Sequence, residues 1–196
     1  MNEKEREIMD IKENEFLMIP SVRMIKDLAY ALTLDNPYIL LSETHIGNLR
    51  SLADMCHKAN KKVIVNLELI GGLNLDKIGI LFLKQLYKVD VVIGASTSKI
   101  NMLNNIGVDT IQRITLMDSK SFDTSLKAIP GSKCAAIEIR PCIYGLKFIE
   151  KIRKIKNVPF LLGGFIDDVE MIDKAREAGF IGATTSCKAL WDMRTK

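Results

Sequence analysis

The sequence predicts one compact, closed (β/α)8 barrel of the TIM type. Apolar β-like segments alternate with amphipathic helical segments eight times within 196 residues. Hydrophobic residues make up 47% of the chain, which is enough to bury one sizeable core. Strands that alternate with helices favour parallel pairing, and eight such units favour closure into a barrel. An open flavodoxin-like sheet is the alternative fold.

The eight predicted strands are short apolar runs separated by polar turns. They lie near residues 15–19, 38–42, 62–69, 89–94, 108–116, 134–139, 158–163 and 180–185. Between them, apolar residues recur at helical spacing, so each helix can cover one face of the sheet. We therefore interpret residues 1–196 as one domain, with 1–13 expected to form an N-terminal helix or a flexible arm.

Composition argues against several classes of protein. Four cysteines without paired spacing and only two histidines suggest neither a disulfide framework nor a zinc site. A charged N-terminus and the lack of an apolar run of roughly 18 residues give no signal for a membrane span. The net charge of +4 is compatible with an anionic partner. We expect a soluble, cytoplasmic protein that needs no cofactor.

Strand alternation places several charged side chains at the carboxyl ends of the strands, where barrels bind ligands. It points Asn66, Glu68 and Glu138 into the barrel. It also places Arg113 on the strand next to Glu138, where the guanidinium could neutralise it. Arg23, just after the first strand, is a second cation at the mouth. These four charged residues form either a polar floor for a ligand or a structural network.

The last two units carry a phosphate-type signal. Gly163 and Gly164 permit close approach of the backbone to an anion. Thr184, Thr185 and Ser186 offer hydroxyl and N–H donors one unit later, at the start of a short final helix. A Gly-Gly pair alone is usually a tight turn, but the two turns together predict a phosphate cradle.

The chain also resembles the glycerol-3-phosphate responsive antiterminator family over roughly residues 12–192. The motifs that carry the resemblance include Ile19-Pro20-Ser21-Val22-Arg23, Thr110-Ile111-Gln112-Arg113, Gly163-Gly164-Phe165-Ile166 and Thr185-Ser186. The resemblance implies a cytoplasmic barrel that binds glycerol 3-phosphate. It also implies action on the leader mRNA of glycerol-utilisation operons, so that transcription passes a terminator.

Three loops depart from the family pattern. Asn66-Leu67-Glu68-Leu69-Ile70-Gly71-Gly72-Leu73 stands where the family carries His-Ile-Asp-Leu-Ile-Glu-Gly-Leu, and Gly94-Ala95-Ser96-Thr97 lacks the arginine of Ser-Thr-Arg-Ser. Arg140-Pro141-Cys142 replaces Leu-Pro-Gly. The phosphate end is retained while the floor differs, so another small phosphate ester is an alternative effector.

RNA contact is expected on the sixth helix, where Lys147, Lys151 and Lys154 recur at helical spacing opposite Phe148 and other apolar residues. The competing interpretation is an ordinary solvated outer face. The chain shows no aromatic-rich platform for single-stranded RNA, so the expectation of RNA binding depends on the resemblance.

An enzyme acting on a phosphate ester is the competing functional class. It would use Glu68 or Glu138 as a general base, with Asp118 helping to hold a divalent metal ion. No lysine stands at a strand end to form a Schiff base, and no acid/base pair has an evident orienting partner. A regulatory binding protein therefore ranks above an enzyme. A homo-oligomer and a partner-binding scaffold without ligand stay open.

Overall fold

Eight parallel strands close into a barrel, which confirms the predicted fold class. The computed structural model describes residues 16–193, so the N-terminal helix or arm expected at 1–13 lies outside the described residues. The barrel strands are β1 (Leu17–Val22), β2 (Tyr38–Leu41), β4 (Lys62–Asn66), β6 (Val91–Gly94), β7 (Asp109–Thr115), β8 (Ala136–Arg140), β9 (Phe160–Gly163) and β10 (Gly182–Thr185). Their order around the barrel is β1-β10-β9-β8-β7-β6-β4-β2.

The predicted strands match the observed ones apart from their ends, with one local difference. The third predicted strand, 62–69, ends at Asn66 because the next three residues, Leu67–Leu69, form a 3-10 turn. Two short strands outside the barrel, β3 (Thr44–His45) and β5 (Ile70–Gly71), pair with each other above this turn.

Seven α-helices lie within the described range. They are α1 (Ile25–Thr33), α2 (Leu49–Lys58), α3 (Lys77–Gln85), α4 (Thr97–Asn105), α5 (Ser119–Ala128), α6 (Cys142–Arg153) and α7 (Val169–Glu177). Side chains at the N-caps of several helices accept hydrogen bonds from first-turn amides, for example Asp76 on α3 and Asp168 on α7. None of these helices has the length and apolar character that a membrane crossing requires.

Apolar side chains fill most of the barrel interior. Ile19, Leu40, Ile64, Ile93 and Leu161 point inward and form one cluster, while the alternate residues on the same strands pack against the helices. The apolar filling gives way to polar side chains toward the carboxyl ends of the strands. The fold therefore places the chemically active residues at one mouth of the barrel.

Candidate functional site

A fully buried carboxylate, Glu138, lies at the centre of the polar mouth. Arg113 Nε donates to its Oε2 at 2.6 Å, and Thr184 Oγ1 donates to its Oε1 at 2.6 Å. Arg140 Nε lies 3.4 Å from the same Oε2. The pairing of Arg113 with Glu138 that strand alternation predicted is therefore confirmed.

Parallel register brings these side chains together. Arg113 on β7 is the direct neighbour of Glu138 on β8, and side chains on a strand alternate between its two faces, so both point inward. On the other side of β8, Gly163 provides the space that Glu138 occupies. A Cβ at position 163 would lie 2.8 Å from Thr184 Oγ1 and 2.9 Å from Glu138 Oε1.

The surroundings of Glu138 keep its carboxylate ionised. Burial by itself raises the pKa of Glu138, but attraction by Arg113 and Arg140 and hydrogen bonds from Arg113 and Thr184 outweigh it. The pKa of Glu138 consequently lies below its ordinary value of 4.5. Burial also lowers the pKa of Arg140, an effect that Glu138 opposes.

The turns after β9 and β10 contact each other, as the phosphate-cradle prediction requires. Thr185 Oγ1 donates to the carbonyl of Ile166 at 2.6 Å and accepts from the amide of Cys187 at 3.0 Å. This hydroxyl therefore joins the two turns instead of pointing at the mouth. Gly164 adopts a positive φ of 75° that favours glycine.

Main-chain donors are available at these turns. The amides of Gly164, Phe165 and Ser186 donate no hydrogen bond to any residue between 16 and 193, and Ser186 is exposed. Amides in such turns are suited to an anion. The N-terminus of α7 is not suited, because Asp168 already caps it by accepting from the amide of Met171 at 2.7 Å.

Two residues expected in the polar floor lie elsewhere. Glu68 is in the 3-10 turn after β4, exposed to solvent, and its Oε1 accepts from the amide of Ala95 at 2.6 Å. Arg23 is also exposed, at the rim of the mouth, with a 3.4 Å ion pair to Glu43 in the loop after β2. Strand alternation failed for Glu68 because the strand ends at Asn66, and it does not apply to Arg23, which follows β1.

Asn66 points into the barrel as predicted from the sequence, and its position suits a ligand. Its side chain is 6% exposed, and its Oδ1 has no hydrogen-bond partner among the described residues. A buried amide oxygen without a donor is unfavourable. A ligand hydroxyl reaching into the mouth would satisfy it.

A cleft of about 420 Å³ opens beside the mouth, between β7 and α5. Its lining includes Arg113, Thr115 and Ser121, but no residue of the β9 or β10 turns. Asp118, considered as a metal ligand in an enzyme, also lines the cleft but serves as the N-cap of α5, accepting from the Ser121 amide. Among the described residues, no three His, Cys, Asp or Glu side chains are grouped to hold a metal ion.

The lysines of α6 surround an aromatic ring. Lys147 Nζ and Lys151 Nζ lie 5.4 and 5.9 Å from the centre of the Phe148 ring, and that ring packs against Phe122 at 4.6 Å. The expectation that Phe148 lies opposite the lysines is therefore wrong. Lys154 follows the last residue of the helix and is exposed.

Comparison with known proteins identifies the family. The family model of the glycerol-3-phosphate responsive antiterminators matches residues 18–191, nearly the whole chain. The chain belongs to this family. A crystal structure of a glycerol uptake operon antiterminator regulatory protein from Listeria monocytogenes is 27% identical and superposes with a TM-score of 0.87, covering 94% of this chain and 98% of that chain.

Two further relatives extend the comparison. The uncharacterised protein YgcP of Escherichia coli K12 is 27% identical over 184 residues, which cover 90% of this chain and 94% of that protein. A glycerol uptake operon antiterminator-related protein from Thermotoga maritima is 21% identical with a TM-score of 0.78, covering 91% and 99% of the two chains, and shows the same fold.

Two members of the polar cluster were not assigned to it from the sequence, although Thr184 was expected in the phosphate turn. Thr184 faces inward next to Gly163, and Arg140 lies two residues after Glu138 on the same face of β8. The position of Arg140 could have been predicted, because residues two apart on β8 lie on the same face of the strand. For Thr184, the choice between positions 184 and 185 depended on the register of β10, which the sequence left open.

Proposed function

We propose that this family member is a metabolite-responsive antitermination regulator in the cytoplasm. In this proposal glycerol 3-phosphate, or a close phosphate ester, binds at the barrel mouth, and the outer surface binds the leader mRNA of glycerol-utilisation operons. The observation that carries the proposal is the Glu138 cluster with its two arginines, beside free main-chain amides, in a chain that belongs to this family.

The mouth has the chemistry to bind a small phosphate ester. The turns after β9 and β10 supply amide donors from Gly164, Phe165 and Ser186, which suit a phosphate group. Asn66 Oδ1 is a free acceptor inside the barrel and suits a hydroxyl of a glycerol-like backbone. Charge stabilisation comes from the arginines beside Glu138, because the described N-terminus of α7 is already capped.

The outer face of α6 has features that suit single-stranded RNA. Lys147 and Lys151 supply positive charge beside the half-buried ring of Phe148, and Tyr144 on the same helix is partly exposed. Proteins bind single-stranded RNA through cationic side chains next to aromatic rings. The sequence predicted the lysines of α6 but not their contact with Phe148. This contact supports α6 as the RNA-binding element.

The start of α6 is physically tied to the proposed effector site. The amide of Cys142 donates to the carbonyl of Gly164 at 3.0 Å, and Cys142 Sγ contacts the carbonyl of Phe165 at 3.3 Å. An anion bound by the Gly164 turn would therefore stabilise the contact between that turn and α6. We propose that this contact couples effector binding to RNA binding.

The effector is tested by thermal unfolding of the purified chain with glycerol 3-phosphate, glycerol or inorganic phosphate at millimolar concentration. A ligand selective for the native state raises the melting temperature, so we expect a rise with glycerol 3-phosphate. Gly164→Asp places a carboxylate at the turn and should abolish this rise. Gly131→Asp is the matched control, because position 131 has open space around it and precedes β8 at the opposite end of the barrel.

The outcomes of this experiment separate clearly. No rise for the unaltered chain at millimolar glycerol 3-phosphate contradicts the effector assignment. Retained binding by Gly164→Asp places the phosphate elsewhere. Turnover of a phosphate ester, with or without magnesium, would contradict a purely regulatory role.

RNA binding is tested by the salt dependence of affinity for a leader RNA. Replacing Lys147, Lys151 and Lys154 with Gln should weaken binding and reduce the slope of log K against log salt by about one for each lysine that contacts phosphate. The control replaces three exposed lysines on other helices, Lys26, Lys58 and Lys77, with Gln. Equal weakening by both triple variants would contradict a specific role of α6.

A further inference from the structure

The charges at the mouth do not balance. Glu138 is the sole ion-pair partner of both Arg113 and Arg140 within the described residues, so one positive charge is left without a partner. A partly buried charge without a partner is unfavourable. The mouth therefore favours a negatively charged ligand group beside these arginines.

Arg140 is the guanidinium that is free to receive it. The two oxygens of Glu138 already accept hydrogen bonds of 2.6 Å from Arg113 and Thr184. Arg140 Nε lies farther away, at 3.4 Å, and although this atom is buried it donates no hydrogen bond to any described residue. Yet 32% of the Arg140 side chain is exposed, so part of it is accessible to a ligand at the carboxyl end of β8.

Arg140 also adjoins the turn that we assign to phosphate. A Cβ on Gly164 would lie 3.4 Å from Arg140 Cβ. A three-carbon ligand with its phosphate on the amides of this turn would have its other end near the arginine. Arginine binds a carboxylate through two parallel hydrogen bonds, a geometry that selects for that group.

We propose that the effector of this chain is a phosphorylated hydroxy acid, with its phosphate on the Gly164 and Ser186 turns and its carboxylate on Arg140. The proposal rests on the proposed function of the same mouth. A carboxylate suits this position because its two oxygens can accept two parallel hydrogen bonds from the guanidinium of Arg140.

Two probes that differ at a single carbon test the proposal. 3-Phosphoglycerate carries a carboxylate where glycerol 3-phosphate carries a hydroxymethyl group, and glycerate lacks the phosphate. Calorimetric titration of the full chain should give 3-phosphoglycerate a dissociation constant about tenfold lower than that of glycerol 3-phosphate, because charge-assisted hydrogen bonds are stronger than neutral ones by about this factor. Glycerate alone should bind far more weakly than either.

Variants assign the preference to one residue. Arg140→Leu should weaken 3-phosphoglycerate binding about tenfold more than it weakens glycerol 3-phosphate binding, because it also removes the contact with the carboxylate. If the leucine variant does not fold, Arg140→Gln, which keeps a polar side chain, replaces it. It should show the same loss of preference for 3-phosphoglycerate. Arg23→Leu is the matched control, because it removes an exposed arginine that pairs with Glu43 near the mouth, and it should leave the preference unchanged.

The results distinguish this inference from the proposed function. If glycerol 3-phosphate binds as tightly as 3-phosphoglycerate, or if Arg140→Leu weakens both equally, the carboxylate assignment is wrong and the phosphate-ester function stands. If neither probe binds, both proposals are wrong.

Discussion

Gly163 and Glu138 lie on neighbouring strands, and the carboxylate occupies the space left by the missing side chain of the glycine. A methyl group at position 163 would come within 2.9 Å of Glu138 Oε1 and 2.8 Å of Thr184 Oγ1. Such distances are shorter than carbon–oxygen contacts normally allow. The polar cluster at the mouth therefore requires glycine at this position, independently of any ligand.

Gly163→Ala should destabilise the protein by about 1–3 kcal/mol, because the added methyl must displace hydrogen-bonded atoms in a packed interior. Urea unfolding measures the loss. Gly131→Ala serves as the control, since no atom lies within 4 Å of the place that its methyl group would take, and its free energy of unfolding should change by less than about 0.5 kcal/mol. Equal stability of both variants would show that the cluster can rearrange.

Arg113→Met should be more damaging than a typical core substitution. It removes the 2.6 Å partner of a fully buried carboxylate, and breaking a buried ion pair from one side costs about 3–5 kcal/mol. Combining it with Glu138→Gln removes the orphaned charge and should recover part of the stability. If the double variant is as unstable as the sum of the two single ones, the two residues do not interact energetically.

The stability of the chain should depend on pH through Glu138. Its folded-state pKa lies below the ordinary value of 4.5, so the unfolded chain takes up the proton first as the pH falls. The stabilisation from the ionised carboxylate is complete above that ordinary value and is lost as the pH drops through the folded pKa. Denaturation between pH 7 and 3 should show that the difference in stability between the unaltered chain and Glu138→Gln shrinks below about pH 4.5; a constant difference would contradict the assignment.

Thr185→Val should loosen the two turns at the mouth. The substitution keeps the shape of the side chain but removes the hydroxyl that donates to Ile166 and accepts from Cys187, leaving buried backbone groups unpaired at about 1–3 kcal/mol. Hydrogen exchange of amides in the two turns should become faster. Thr185→Ser retains the hydroxyl and should keep the protection. Equal exchange rates in the two variants would show that the hydroxyl does not order the turns.

Several features of the site followed from the residues alone, because they depend on short-range periodicity. The period of two along β7 and β8 placed Arg113 and Glu138 on the inner face, and consecutive βα units made their strands neighbours. The same rule placed Asn66 inside the barrel. It failed for Glu68, because alternation holds only while the strand continues, and a 3-10 turn begins at Leu67.

Other features depended on contacts between distant parts of the chain. Thr184 is hydrogen-bonded to a residue 46 positions away, and the hydroxyl of Thr185 joins two loops instead of facing the mouth. Likewise, Phe148 lies between lysines because α5 contributes Phe122 to its other side. Local patterns hold no information about such pairings.

The sequence by itself determined the closed barrel, the end at which its polar residues gather and the pairing of Arg113 with Glu138. These features follow from hydrophobic periodicity and from the order of the strands along the chain, which can be read from neighbouring residues. Only the tertiary structure decided that Arg140 stands beside an already satisfied carboxylate with its charge unmatched. That surplus arises because side chains from three strands share one buried space, and the balance of charge in such a space is fixed by distances that the order of residues does not contain.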